Sequence, residues 1–120
     1  MTLTPKQALM QYHMAERAKL DIMMIAHQLI TVPTLNKEDK PGAKFILGEL
    51  LEVLAADLQG AASCTGRQEF TQAASGIDEV ISLVKSNQFG IASDKCGEAM
   101  IPVTSVAADA FAVLSEAGLL

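Results

Sequence analysis

Apolar residues recur along this chain at three- and four-residue spacing in four successive blocks. Nowhere do they alternate in the two-residue rhythm of a strand. The first block runs from about Pro5 to Ile30. Thr4 suits the N-cap, Pro5 the first helical position, and Gln7 completes a capping box. Tyr12, Ala15, Ile22, Ala26 and Leu29 share one face, widened by Met14, Ala18 and Ile25. The opposite face mixes Glu16, Arg17, His13 and His27 with Leu9, Leu20 and Met24. Apolar residues this broad around a helix predict contact on two sides, in a central helix or an interface helix.

The stretch from Thr31 to Gly42 holds two prolines and a charged patch and reads as a long loop, crossing over or functional. The second block, about Ala43 to Ala62, places Leu47, Leu50, Leu51, Leu54, Leu58 and Ala61 on a stripe, with Gly66 as its stop. The third, about Gln68 to Ser86, has the cleanest pattern: Phe70, Ala73, Ala74, Ile77, Val80, Ile81 and Val84. Lys85 near its end complements the helix dipole. The fourth runs from about Asp94 to Ala117 behind Ser93 as N-cap, with Val103, Val106, Ala107, Ala110, Leu114 and Ala117 inward. Pro102 removes a ladder bond and crowds the carbonyl of Glu98, which predicts a kink or a split there. The apolar end Gly118-Leu119-Leu120 is expected to dock on the bundle. The sum is an all-α four-helix bundle, partly antiparallel because two turns are short.

The 120 residues form a single domain (1–120) by length. Half of them are hydrophobic, which argues against disorder, but aromatics are only 4%. The core must therefore be aliphatic and alanine-rich. Its small residues bury little area each, so a partner surface is expected. Size scaling gives a folded surface of roughly 6,200 Å².

The net charge is −5 and the nine Lys and Arg are scattered, so neither nucleic acid nor an anionic membrane is an expected partner. The opening Met1-Thr-Leu-Thr-Pro-Lys6 has no basic stretch leading into an apolar run, so no secretory signal is expected. The most apolar stretch, Leu20 to Ile30, is too short to span a bilayer. The expected setting is the cytoplasm. Cys64 and Cys96 make no disulfide framework and read as two reduced, half-buried thiols. Cys96 falls in the first turn of the expected fourth helix, where the dipole lowers a thiol pKa. The alternative reading is a redox pair, which no Cys-x-x-Cys supports.

Chemistry-bearing residues are sparse. His27-Gln-Leu29-Ile30-Thr31 resembles the first half of the motif of histidine-phosphotransfer domains, which is His, any residue, Leu, Lys, Gly. Ile30 stands at the Lys position and Thr31 at the Gly position. The resemblance covers five residues and implies a signalling domain with His27 as phosphoryl acceptor and Arg17 or Lys19 as its cation. His13 and His27 lie roughly 21 Å apart along a helix, too far for one ion. Met10, His13 and Met14, or Met23 and His27, offer soft ligands to a small-ligand or Cu(I) site. Methionine at helical spacing serves equally as core filler. No Gly-rich phosphate loop, nucleophile elbow or paired Glu-x-x-His motif occurs.

The expectation that follows is a non-enzymatic protein without metal or cofactor, acting through protein–protein contact. It would be an adaptor, chaperone-like or regulatory accessory protein, self-associating as a homodimer. The interface residues are Leu20, Met23, Met24, His27 and Ile30 on the first helix. Apolar side chains there anchor the partner and His27 stands at the rim.

Overall fold

The computed structural model describes residues 3–120 and holds four α-helices: α1 (Pro5–Thr31), α2 (Lys40–Thr65), α3 (Gln68–Lys85) and α4 (Phe89–Glu116). They form the expected all-α four-helix bundle. Among the described residues there is no strand. The body measures 53 × 23 × 19 Å, so the core is one layer of side chains between helices.

Each helix end has a local cause. The Thr4 hydroxyl accepts from the Gln7 amide (3.2 Å) while the Thr4 amide donates to Gln7 Oε1 (3.0 Å), the capping box that opens α1. Gly66 adopts φ 72° and its N–H donates to the Ala62 carbonyl, closing α2. At the end of α3, Asn87 takes φ 60°, its N–H donates to Val84 O, and the Gln88 N–H donates to Leu83 O. That pair of bonds is a Schellman close with asparagine in the glycine position. Lys44 of α2 adds a third constraint there, donating to Lys85 O (3.2 Å) and Asn87 Oδ1 (2.9 Å). A cation on the last carbonyls of α3 also suits the helix dipole.

The expected loop from Thr31 to Gly42 is mostly ordered secondary structure. A 3-10 turn covers Val32–Thr34, and α2 begins at Lys40 with Pro41 in its first turn. Proline there fixes φ for the helix and loses no ladder bond. The fourth helix also begins earlier than Ser93 suggests: Phe89, Gly90 and Ile91 are already helical. Pro102 does not split α4, which runs unbroken through it. The carbonyl that proline leaves unpaired belongs to exposed Glu98, where water can reach it. Buried neighbours hold the helix on both sides, Ala99 before and Val103 after.

Consecutive helices run antiparallel, and α1 also lies antiparallel to α4. The buried Cys96 thiol of α4 donates to the Ile22 carbonyl of α1 at 3.6 Å, while Ala8 near the start of α1 packs with Ala110 and Leu114 near the end of α4. These two helices make the most extensive pairing in the bundle, and α1 with α2 the least extensive of the neighbouring pairs. The stripes read from the sequence are largely the core, with Phe70, Ile22, Leu47, Leu51, Leu58 and Ile77 fully buried. Leu50 is the exception on the α2 stripe, and Leu119 and Leu120 do not dock: all three are exposed. Nor is α1 a central helix, since a full face of it meets solvent.

α4 is long and apolar enough to cross a membrane, with mean hydropathy 1.3 over its most apolar eighteen residues, and a third of that window is buried in the bundle. Its buried side holds Val103, Val106 and Leu114, while Asp94, Glu98, Asp109 and Glu116 are exposed.

Two single substitutions on α2 separate the buried stripe from the outer face. Leu51→Ala should cost roughly 2–5 kcal/mol, because it removes a fully enclosed side chain. Phe45→Ala, at a position 68% exposed, should cost well under about 1 kcal/mol. Urea denaturation of both variants measures the difference, and equal losses would mean that the stripe is misplaced.

Candidate functional site

The outer face of α1 is built by its sequence spacing. Positions 20, 23, 24, 27 and 30 fall on one side of a helix whose opposite side (Ile22, Ile25 and Leu29) is committed to the core. Leu20, Met23, Met24 and Ile30 are between 55% and 63% exposed, and His27 is exposed beside them. Leu20, Met23, Met24, His27 and Gln28 line one shallow depression of about 350 Å³. The structure therefore brings four of the five expected interface residues into a single surface feature, with Ile30 one turn beyond His27. From Ile22 to Asn36 the chain has no Asp, Glu, Lys or Arg, so this surface is uncharged apart from any proton on His27.

His27 has no Lys or Arg in the depression that it lines. Lys19 is paired with Glu16 at 3.1 Å, and Arg17 lines a different groove, between α1 and α2, together with Asp21 and Asp57. His13 is exposed further back along α1. Among the described residues no three His, Cys, Asp or Glu side chains converge as a metal site would require.

Charged groups from different helices also meet in a cluster that the sequence did not suggest. Arg67, in the turn before α3, forks onto Glu69, with Nε to Oε1 at 3.1 Å and Nη2 to Oε2 at 2.6 Å. The same guanidinium donates to Asp109 Oδ2 of α4 (2.8 Å) and to Gln11 Oε1 of α1 (3.2 Å). Gln11 is buried, and this bond supplies its acceptor with a partner. The paired carboxylates raise the pKa of Arg67, chiefly through the Glu69 hydrogen bond, and Arg67 in turn holds the Glu69 carboxyl below its ordinary value. Both carboxylates share the one guanidinium, and the cluster ties α1, α3 and α4 together at one end of the bundle. Its members are 56 and 42 residues apart in pairs, and no local motif encodes such a contact.

The thiols also depart from expectation. Cys96 is not in a first turn, because α4 begins at Phe89. It is buried, and desolvation pushes its pKa up to about 11 rather than down. Cys64 is exposed near the end of α2. Both are free, and the structure does not bring them together as a redox pair.

Leu50, read from spacing as core, and Ile46 and Val53, read as nothing in particular, form a second exposed apolar row on α2. The only sequence signal for that row was an excess of apolar residues beyond one stripe. Comparison with protein families, curated proteins and solved structures finds no match to this chain.

Two outcomes follow from this geometry. A carboxyl held below its ordinary pKa stabilises the fold above the unfolded-state value, and that contribution drains as pH falls through the folded one. Melting temperature should thus drop for the wild type as pH falls from about 5 towards 3, and drop less steeply for Glu69→Gln. Parallel curves would show that the Arg67 fork contributes nothing. Separately, a disulfide reagent at pH 8 should modify one thiol of the folded protein quickly and the second only on unfolding. Cys64→Ser should abolish the fast reaction; two fast thiols would contradict the burial of Cys96.

Proposed function

We propose that this protein works by binding protein through the outer face of α1, without catalysis, as an adaptor, chaperone-like or regulatory accessory protein. The observation that carries this reading is the uncharged apolar face at Leu20, Met23, Met24 and Ile30, with His27 among them. These side chains are not drawn into the bundle, yet they stand together rather than singly. Clustered exposed apolar residues mark contact surfaces, whereas scattered ones are ordinary. Two methionines in the patch give it polarisable side chains that repack against a partner.

The remaining chemistry supports binding over catalysis. The charged cluster at Arg67 is internally paired, and Cys96 is held as a buried thiol. Free thiols in a chain of this size suit a reducing compartment, and we assign the protein to the cytoplasm on that ground. Neither a cofactor, nor nucleic acid, nor a membrane is part of this reading.

Site-specific photo-crosslinking in the cells that make the protein tests it. A photoreactive residue at Leu20, Met23 or Ile30 should yield discrete protein adducts, whether with itself or with another chain. The same residue at exposed Gln59 or Ser75, on the outer sides of α2 and α3, should yield none. Equal labelling at all five positions, or none at any, would remove α1 as the contact face.

A further inference from the structure

A groove of about 740 Å³ crosses the end of the bundle where α1 starts. Its walls come from the first turns of α1, the close of α2 with the turn after it, and the last turns of α4. Gln11 lines it, although only 5% of that residue is exposed. The Arg67 guanidinium donates to Gln11 Oε1. A guanidinium can only donate, so the amide oxygen must face it and the NH2 group turns away. Among the described residues Gln11 Nε2 has no hydrogen-bond partner, while every fully buried side-chain nitrogen or oxygen has one. Nε2 is therefore not sealed in the core and reaches the groove. Asp109 is its counterpart across the guanidinium. Its Oδ2 accepts from Arg67, its Oδ1 has no partner among the described residues, and its side chain is 59% exposed on the groove.

We propose that this groove binds an extended, uncharged peptide segment, with a backbone carbonyl on Gln11 Nε2 and a backbone N–H on Asp109 Oδ1. Charge selects the class of ligand. One guanidinium is already shared by Glu69 and Asp109, so the cluster carries two negative charges against one positive. An ionised carboxylate or phosphate would be repelled there, and it has no donor to offer Asp109. A cation would meet the guanidinium on the same carboxylates. A peptide unit is neutral and carries one acceptor and one donor, which is what the spare donor and spare acceptor here require.

The remaining walls suit the side chains of such a segment. Leu3, Met10 and Val113 stand around the polar pair. Binding clefts of roughly 300–1,000 Å³ are built in this way, mostly apolar with a few placed polar groups. In an extended segment alternate side chains point to opposite sides, so one can lie on this apolar wall while the next meets solvent. A carbonyl entering the groove completes the bonding of a nine-tenths-buried amide; a water does so only by being ordered there. The groove shares no residue with the depression on the outer face of α1, so this site and that one stand or fall separately.

Heteronuclear NMR of the nitrogen-labelled full chain tests the proposal. The probe is the blocked, uncharged tripeptide acetyl-alanyl-leucyl-alaninamide, with sodium acetate as the anionic control. The expected result is a saturable shift of the Gln11 side-chain NH2 signals, together with the backbone amides of Thr65, Arg67 and Val113, and no such shift with acetate. Gln11→Met removes the donor and should weaken the tripeptide by about fivefold, the loss of one hydrogen bond. Met10→Trp, at a position 42% exposed, leaves the core alone and should abolish binding by filling the groove. Should Gln11→Met fail to fold, the wild-type NH2 shift and Met10→Trp carry the test. Absence of a saturable shift in the groove would overturn the proposal, as would equal shifts with acetate. So would tripeptide binding that folded Gln11→Met and Met10→Trp both retain, or shifts confined to the outer face of α1.

Discussion

The close antiparallel packing of α1 on α4 governs the rest of this molecule. Both helices carry small buried side chains: Ala8, Ala15 and Ala18 on α1, and Ala92, Ala107 and Ala110 on α4. Alanines let two helix axes approach closely, towards the short end of the 8–10 Å range. The cost is area, because each alanine removes little apolar surface from water. The bundle is only 23 × 19 Å across, so each helix has one inward stripe to fill. Half of the chain is hydrophobic, and that is more than four single stripes absorb. The surplus has to stand outside, on α1 and α2 and at Ile91, Ile101 and Phe111 of α4. The exposed surface, 7084 Å², exceeds the roughly 6,200 Å² expected of a compact monomer of this mass.

The polar contacts bear on how closely each seam is held. At one end Lys44 fastens the start of α2 to the close of α3. At the other, the turn after α2 leads into Arg67, whose guanidinium gathers Gln11, Glu69 and Asp109. Polar contacts thus tie α2 to α3 at its start, while none joins α2 itself to α1 among the described residues. On the α3–α4 side, Gly76 lets Ala99 approach to within ordinary contact of where a Cβ would stand (3.4 Å). Tight packing on that side and open packing at α1–α2 are two results of the same arrangement.

Much of this was legible from residue spacing. The four helices, the Thr4 box, the Gly66 stop and most of the core follow from three- and four-residue periodicity and local cap chemistry. The outer position of Leu20, Met23, Met24, His27 and Ile30 was legible too, as an apolar excess on a mixed face. What periodicity does not encode is which neighbour covers each edge of a helix. Leu50 has the right spacing for the α2 stripe, but its edge faces the one seam that packs poorly. The Arg67 cluster reaches two distant positions, Gln11 and Asp109, through a long side chain, and those contacts have no local signature. Ser93 resembles a cap, yet α4 begins before it at Phe89, so Cys96 lies beyond the first turn, where burial sets its pKa. Pro102 shows tertiary packing overriding a local cost: buried neighbours on either side keep the helix continuous.

The central claim, that the outer face of α1 on the long side of the molecule binds protein, is tested first as self-association. Small-angle X-ray scattering of the full chain in solution measures mass and length together. The account predicts twice 12.7 kDa with a maximum dimension well short of twice 53 Å, because the copies lie side by side. A particle of 12.7 kDa with the monomer's own dimensions, or a dimer about twice as long, would contradict it.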